Sequence, residues 1–382
     1  MNSRKDLMKK AAFIYSENFE KYRYPPEHPF NVSRAGETYK ILTSMHLLDN
    51  DETIVVEAKP AETATLKKFH TSEYLSILKK AAEGKCLSEA LSFGIGTGDC
   101  PVFKDMYDYS ALACGATIAA AELITKNKAK YAFNPSGGFH HAGSAHASGF
   151  CYLNDIAIGC LLLAERNKKV FYLDVDVHHG NGVCSFFYDR SDVMTVSFHE
   201  TGRMLYPGTG FEDEIGEGAG EGYCINVPLP INTYDEAYFN AFREIVPPLL
   251  ESYQPDVIVF ELGVDGLAGD PLAHLSLTNN LYADIIHLLL NYNLPILMTG
   301  GGGYNLKNTV RAWALAFSIL AGEDTDMYPG VSGVMLENTE WQGGLQDRKL
   351  TVSRHQKKTV KPVLETTIKR VKQNVFPIHQ LC

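Results

Sequence analysis

Lys169-Val170-Phe171-Tyr172-Leu173-Asp174-Val175-Asp176-Val177-His178-His179-Gly180 is the stretch on which the fold turns. Its first half is an apolar run without alternation, the pattern of a strand buried on both faces. Its second half is abruptly polar. Comparable runs rich in Val, Ile, Phe and Tyr lie at 131–134, 193–198, 223–227, 256–262 and 295–299. Helix-length segments separate them at 106–127, 154–166, 235–252, 279–291 and 305–321. Pro247-Pro248 interrupts the third of these, and Gly322 follows the last as a C-cap. Strands and helices that alternate at this spacing need crossover connections. The sequence therefore predicts an α/β protein, a central mainly parallel sheet flanked by helices.

The composition agrees. With 382 residues, 45% hydrophobic and 21% charged, the chain has enough apolar surface for a large core, which excludes disordered, collagen-like and disulfide-miniprotein classes. A net charge of −10 argues against general nucleic-acid affinity and mildly favours cationic substrates. The eight cysteines contain no C-x-x-C pair and mostly sit in apolar runs, so a reduced, cytoplasmic chain is expected. No apolar run reaches the roughly 20 residues that cross a bilayer, and no membrane association is expected. The longest expected loop is 199–222. From 341 onward the chain is basic, carrying Arg348, Lys349, Arg354, Lys357, Lys358, Lys361, Lys369, Arg370 and Lys372, which suits either a solvated helix or a contact with an anionic partner. The expected division is 1–325 as the catalytic unit and 326–382 as an extension packed on it or trailing from it.

In an open parallel sheet, chemistry gathers just past the carboxyl ends of the strands. Here those places hold Gly137-Gly138-Phe139-His140-His141, Asp174 to Gly180, Gly263-Val264-Asp265-Gly266 and Gly300-Gly301-Gly302-Gly303-Tyr304. The spacing of Asp174, Asp176 and His178 by two points all three to one side of an extended chain. Crowded carboxylates with an imidazole need a cation. Asp176, His178 and Asp265 would hold a divalent metal with positions left open for water and substrate. Oxygen-rich ligation with one nitrogen suits zinc and also accommodates Fe(II), Mn(II) or Co(II). Alone, D-x-D-x-H has a second reading as a strand end with solvated acids, and Asp265 by itself reads first as a turn residue. The adjacent His140 and His141 could divide the work, one shuttling a proton and the other staying charged. The glycine run before Tyr304 has a second reading as a phosphate cradle, although the Lys-Ser/Thr of a P-loop is missing.

These motifs resemble the histone deacetylase superfamily, in particular its bacterial histone deacetylase-like and acetoin-utilisation branch. The resemblance runs from about Lys21-Tyr22-Arg23-Tyr24-Pro25 to Arg311-Ala312-Trp313. It is carried by GGFHHA at 137–142, SGFCYLND at 148–155, DVDVHHGNG at 174–182, YPGTG at 206–210, GVDGLAGDPL at 263–272 and GGGGYN at 300–305. It implies a single-domain arginase/deacetylase fold and zinc-dependent hydrolysis of an acylated amine, typically the ε-amide of acetyl-lysine in a protein or peptide. It also implies Asp176, His178 and Asp265 as metal ligands and His141 as general base and then acid. His140 would be the electrostatic partner oriented by Asp174, and Tyr304 the donor to the oxyanion. Gly149, Phe150 and Tyr206 resemble the walls of a tunnel for the lysine stem. Asp99 resembles a rim residue that fixes the substrate backbone, and Arg34 a residue near the acetate exit. A structural K⁺ would be bound by Asp174, Asp176, His178, Ser197 and Phe198.

Departures from the family pattern sharpen the reading. Asn181 stands where the nuclear type usually has aspartate, so His141 has a less basic partner. Leu272 occupies the place of the gatekeeping glutamate of polyamine deacetylases, which disfavours polyamines. Acyl-lysine hydrolysis is thus the primary expectation. The alternatives are a small-molecule amidohydrolase and a non-catalytic acyl-lysine binding module, and an arginase reading fails for want of a D-x-H-x-D run. The 199–222 loop and the basic tail are candidate contacts for a partner or a homo-oligomer.

Overall fold

The structure, a computed structural model, describes residues 8–166, 168–323 and 344–382. The strands are β1 (Lys9–Tyr15), β2 (Thr53–Glu57), β3 (Ala129–Asn134), β4 (Val170–Asp174), β5 (Val193–Glu200), β6 (Cys224–Leu229), β7 (Val257–Glu261) and β8 (Ile296–Thr299). They form one eight-stranded sheet in the order β2-β1-β3-β8-β7-β4-β5-β6. Every neighbouring pair is parallel. The α/β architecture is the expected one. β4, β5, β6, β7 and β8 are buried along their whole length, which is why their sequences run apolar without alternation.

Two strands lie outside the expected set. Ala11–Tyr15 reads in the sequence only as a short apolar stretch after a basic segment, yet it is the inner part of β1, paired on both sides. β2 is an edge strand whose Ile54 and Val55 are each 36% exposed, so it carries no strong burial signal. The expected break at Pro247-Pro248 does not occur, and one helix spans Asp235–Tyr253. Burial of Phe242, Ile245, Val246, Leu249 and Leu250 along that helix holds it together across the two missing N–H groups. The cysteine expectation is corrected as well: Cys184 and Cys224 are joined as a disulfide, and the remaining cysteines are free.

Helices cover the sheet. Met106–Thr125 packs on β1, β3 and β8, Asp155–Ala164 on β4 and β7, and Leu306–Ala321 on β1. The last ends at Gly322, whose left-handed φ of 82° is the expected cap. In the basic C-terminal region, the helix Arg354–Val375 lies against Asp235–Tyr253 and β6, burying Val360, Leu364, Ile368, Val371 and Val375. Its outward charges meet acids of the body, in the pairs Lys357–Glu236, Arg370–Glu212 and Lys372–Glu244. The expected boundary at 325/326 lies outside the described residues. No helix among the described residues is long and apolar enough to cross a membrane.

Phe13 of β1 sits in an aromatic cluster, its ring centroid 5.8 Å from Phe133 and 5.3 Å from Phe317, both edge-on. Because Phe317 is fully buried there, Phe317→Ala should lower the unfolding free energy by about 3–5 kcal/mol, read from the midpoint of urea denaturation.

Candidate active site

The sheet topology places β4 between β7 and β5, with Asp174 in register with Glu261 on one side and Ser197 on the other. The chain leaves the strand at Asp174, so strict alternation stops there. Two clusters result. Asp176, His178 and Asp265 offer ligand atoms within 4.8 Å of one another, and His140, Asp174 and Glu261 do the same next to them. Asp174 is thus separated from the other two members of its D-x-D-x-H run.

The first cluster is fully assembled. His178 Nδ1 lies 3.1 Å from Asp176 Oδ1 and 3.0 Å from Asp265 Oδ2. Backbone amides fix the carboxylates: Val177 N–H donates to Asp265 Oδ1 at 2.9 Å, and Gly302 N–H to Asp176 Oδ2 at 2.6 Å. Burial alone would keep His178 neutral, but its hydrogen bonds to Asp176 and Asp265 push it up to about 10. Burial and the neighbouring Asp176 charge raise Asp265 to about 7. This is a pocket that draws positive charge.

The glycine run is explained by close approach, and the phosphate-cradle reading falls. A Cβ on Gly302 would stand 1.9 Å from Asp265 Oδ2 and 2.7 Å from Asp176 Oδ2, and one on Gly301 would stand 1.9 Å from Glu261 Oε1. The backbone at 301–302 passes directly over the carboxylates. Arg34, buried and stacked 4.4 Å from the Phe30 ring, donates from Nη1 to the carbonyls of Gly301 and Gly303 at 2.9 Å each.

The histidine turn is held from behind. Gly138 and Phe139 N–H groups donate to Asp155 Oδ1 at 3.1 and 2.9 Å, and Thr117 donates to Asp155 Oδ2 at 2.6 Å. His140 Nδ1 donates to Asp174 Oδ2 at 2.9 Å, while its Nε2 lies 3.1 Å from His141 Nε2. His141 Nδ1 bonds to Asn181 Oδ1 at 2.8 Å. Burial disfavours a charged His140, yet Asp174 and Asp176 outweigh it and raise its pKa. Burial together with the positive charges at His140 and His178 holds His141 well below its ordinary value. The two imidazoles are pushed in opposite directions, His140 toward the protonated form and His141 away from it.

Phe30, Gly149, Phe150, Cys151 and Tyr304 line the same cleft as His140, His141, Asp176 and His178. The Phe150 and Tyr304 rings meet edge-on at 5.7 Å. The Tyr206 ring stands 5.1 Å from His141, and its hydroxyl bonds to Ser148 Oγ. Burial, then Asp265 and Asp176, raise the Tyr304 phenol well above its usual value, so it remains a donor. Its backbone N–H donates to Asp270 Oδ2 at 2.8 Å, and Leu272 N–H to Asp270 Oδ1 at 3.0 Å. Leu272 is thus linked to the Tyr304 amide through that carboxylate. Asp99 is exposed, and its carbonyl accepts from His28 Nε2 at 3.2 Å while the His28 ring sits 4.5 Å from Phe150. Ser197 Oγ bonds to His199 Nδ1 at 2.8 Å, and the Phe198 ring packs against Tyr238 and Phe242.

Three buried carboxyls escaped the sequence reading. Asp155 and Asp270 hold the turns that bear His141 and Tyr304. Glu261, at the end of β7, brings Oε1 to 3.9 Å from His140 Nδ1. The one available signal was an acid within the apolar run Val257-Ile258-Val259-Phe260-Glu261-Leu262.

A parallel sheet carries this buried His/Asp cluster at its carboxyl edge as a candidate metal site on an α/β fold, and the comparisons with known proteins assign the chain to a family of hydrolases. The histone deacetylase domain model matches residues 28–320, and the chain belongs to that family. It is 38% identical over 325 residues to the acetoin utilization protein AcuC of Bacillus subtilis, covering 83% of this chain and 84% of that one. It is 35% identical over 321 residues to histone deacetylase clr6 of Schizosaccharomyces pombe, covering 83% and 78%. Among solved structures it is similar to an HDAC homolog from Aquifex aeolicus, with a TM-score of 0.83 and 31% identity over 94% of this chain and 100% of that one. An HDAC homolog complexed with SAHA matches with a TM-score of 0.84 and 30% identity, covering 95% of this chain and 100% of that one.

Gly302→Ala should push Asp265 and Asp176 apart. Its expected signature is divalent-metal affinity reduced about 10–100-fold, measured by calorimetric titration of zinc into the metal-stripped protein.

Proposed function

We propose that this chain hydrolyses acyl-lysine amides of a protein or peptide, with Asp176, His178 and Asp265 as ligands of a divalent ion. The observation that carries the reading is His141: an imidazole kept neutral and hydrogen-bonded through Nδ1, lining one cleft with Asp176, His178 and Tyr304. The donor set fits the ion, because two buried carboxylates and an imidazole converge within 4.8 Å and draw positive charge. Zinc or iron(II) bound there would polarise the amide carbonyl and acidify a water molecule.

The chain's own groups supply the rest. With Nδ1 held by Asn181, His141 presents Nε2 to take the proton of the attacking water and later to deliver it to the departing amine. His140, kept charged by Asp174 and Asp176, offsets the negative charge of the addition step. The Tyr304 hydroxyl donates to the carbonyl oxygen as it becomes an oxyanion. Gly149, Phe150 and Tyr206 would clasp the apolar lysine stem, and Asp99 at the rim would hold the peptide backbone. A potassium ion on Asp174, Asp176, His178, Ser197 and Phe198 would stiffen the strand ends beneath. We assign catalysis to 1–325, with 326–382 as an extension of the same domain, and a cytoplasmic setting.

A second reading, a small-molecule acetylpolyamine deacetylase, has the exposed Asp99 in its favour and a leucine at 272 against it. Release of acetate from an acetyl-lysine peptide should exceed that from N-acetylputrescine in kcat/KM, and the reverse order would reject the protein substrate. His141→Ala should abolish turnover with the metal still bound, and Tyr304→Phe should lower kcat about a hundredfold. Wild-type turnover in either variant removes its assigned role.

The pH dependence follows from His141, which works as a base only when unprotonated. Since its pKa lies below the usual 6.5, kcat/KM should fall only on the acid side of that value. In Asn181→Asp an anion facing Nδ1 would stabilise the protonated form and raise the pKa, so the acid limb should move up by about 1 pH unit. A kcat/KM profile of both proteins on the same peptide measures it.

A further inference from the structure

The Cys184–Cys224 bridge has no part in the chemistry above, yet one of its ends lies in the helix that braces the proposed base. That helix, Asn181–Phe186, is short and held at its start by two contacts with the histidine turn: Asn181 Oδ1 to His141 Nδ1 at 2.8 Å, and Gly182 N–H to His140 O at 3.0 Å. The approach is tight, because a Cβ on Gly182 would stand 2.4 Å from Ala142 O and 2.7 Å from His140 O. Cys184 lies one residue beyond Val183 in the same helix. Its partner, 40 residues on, is the first residue of β6, the edge strand, with a Cα–Cα separation of 6.3 Å. The bridge thus ties the prop of His141 to the rim of the sheet.

We infer that Cys184 and Cys224 form a reversible thiol–disulfide couple, opened by small thiol or phosphine reductants, which sets how firmly Asn181 holds His141. The inference rests on the proposed role of His141. Cys184 is 6% exposed and Cys224 1%, so attack falls on the Cys184 side. With a phosphine, phosphorus attacks sulfur and the S–S bond breaks. Water supplies the oxygen of the phosphine oxide and the two protons that leave both cysteines as thiols. In the reverse direction, glutathione disulfide takes two electrons, forms two glutathione thiols and restores the bridge by exchange. Opening the bridge removes the covalent cross-link between the helix and β6, so the helix is held against the histidine turn by its backbone connections and noncovalent contacts. A small displacement of a proton-shuttling group is costly to rate and nearly without effect on binding.

The test uses the full chain, metal-loaded, with a non-chelating phosphine and with metal content measured in both states. Peptide mapping without reductant should recover a cross-linked pair containing Cys184 and Cys224, lost on phosphine treatment and regained with glutathione disulfide. On an acetyl-lysine peptide, reduction should lower kcat about 3–10-fold with KM within about twofold, and amide hydrogen exchange should quicken across 181–187. Cys184→Ser/Cys224→Ser should sit at the reduced rate and ignore both reagents, whereas Cys86→Ser/Cys382→Ser should respond like the wild type. Reduction of the wild type needs no substitution, so a misfolded variant leaves the test intact. Absence of the cross-linked pair after oxidation, or an unchanged kcat and exchange rate on its opening, overturns the inference. If no acyl-lysine peptide is cleaved in either state, the functional reading falls instead, and the peptide map with the exchange rates still decides the couple.

Discussion

The structure is organised around a charge problem. Asp174, Asp176, Glu261 and Asp265 are brought to one edge of the sheet and buried there, where unpaired carboxylates repel and lose their hydration. Each is answered locally. Gly302 and Val177 amides feed Asp176 and Asp265, Gly263 N–H donates to Glu261 at 2.9 Å, and Tyr172 and His140 donate to Asp174. Glu261 is pushed well above the usual carboxyl range by burial and by Asp174 and Asp176, so it sheds its charge. What remains ionised surrounds imidazoles. An arrangement that costs this much desolvation makes sense where a cation is to be gripped.

That constraint reaches into parts of the sequence far from the acids. Backbone must pass over Asp265 and Glu261 at distances no side chain tolerates, which accounts for Gly301 and Gly302. The same run must then deliver Tyr304, so its direction is fixed at both ends, by Arg34 on the carbonyls of Gly301 and Gly303 and by Asp270 on the Tyr304 amide. Asp155 does for Gly138 and Phe139 what Asp270 does for Tyr304. The turns that bear His140, His141 and Tyr304 are thus mounted on buried acids.

How much of this was legible follows from which forces act along the chain. β4, β7 and β8 are buried on both faces, and each runs within five residues into a turn that bears Asp176, Asp265 or Tyr304, so their positions and the candidate metal-site residues could be read from Asp174 to His178, Asp265 and the glycine run. β2 could not, because an edge strand with half-exposed Ile54 and Val55 has neither a full apolar run nor alternation. β1 has a short apolar core within a basic flank, and only its two neighbours in the sheet, both distant in sequence, disclose it. Pro247-Pro248 looked like a break because local propensity was weighed without the packing that overrides it. The Cys184–Cys224 pairing and the support given by Asp155, Asp270 and Glu261 are contacts between segments remote in sequence. A single acid in a turn or at the end of a strand carries no mark of the amide it will hold.

The two adjacent histidines show how that third-dimension information becomes chemistry. His140 and His141 are identical neighbours in the sequence, and with Nε2 atoms 3.1 Å apart both cannot be charged. Nothing local decides which one gives way. The decision comes from the far side of each ring, where Nδ1 of His140 meets the carboxylate Asp174 and Nδ1 of His141 meets the neutral amide Asn181. An anion stabilises the protonated ring, whereas an amide orients its neighbour without adding charge. Once His140 takes the positive charge, its field and that of His178 depress His141 further, so each assignment reinforces the other. Environments that push two like groups apart in pKa are how one site obtains both an electrostatic support and a base. Here the separation is produced by residues 34 and 40 positions away along the chain.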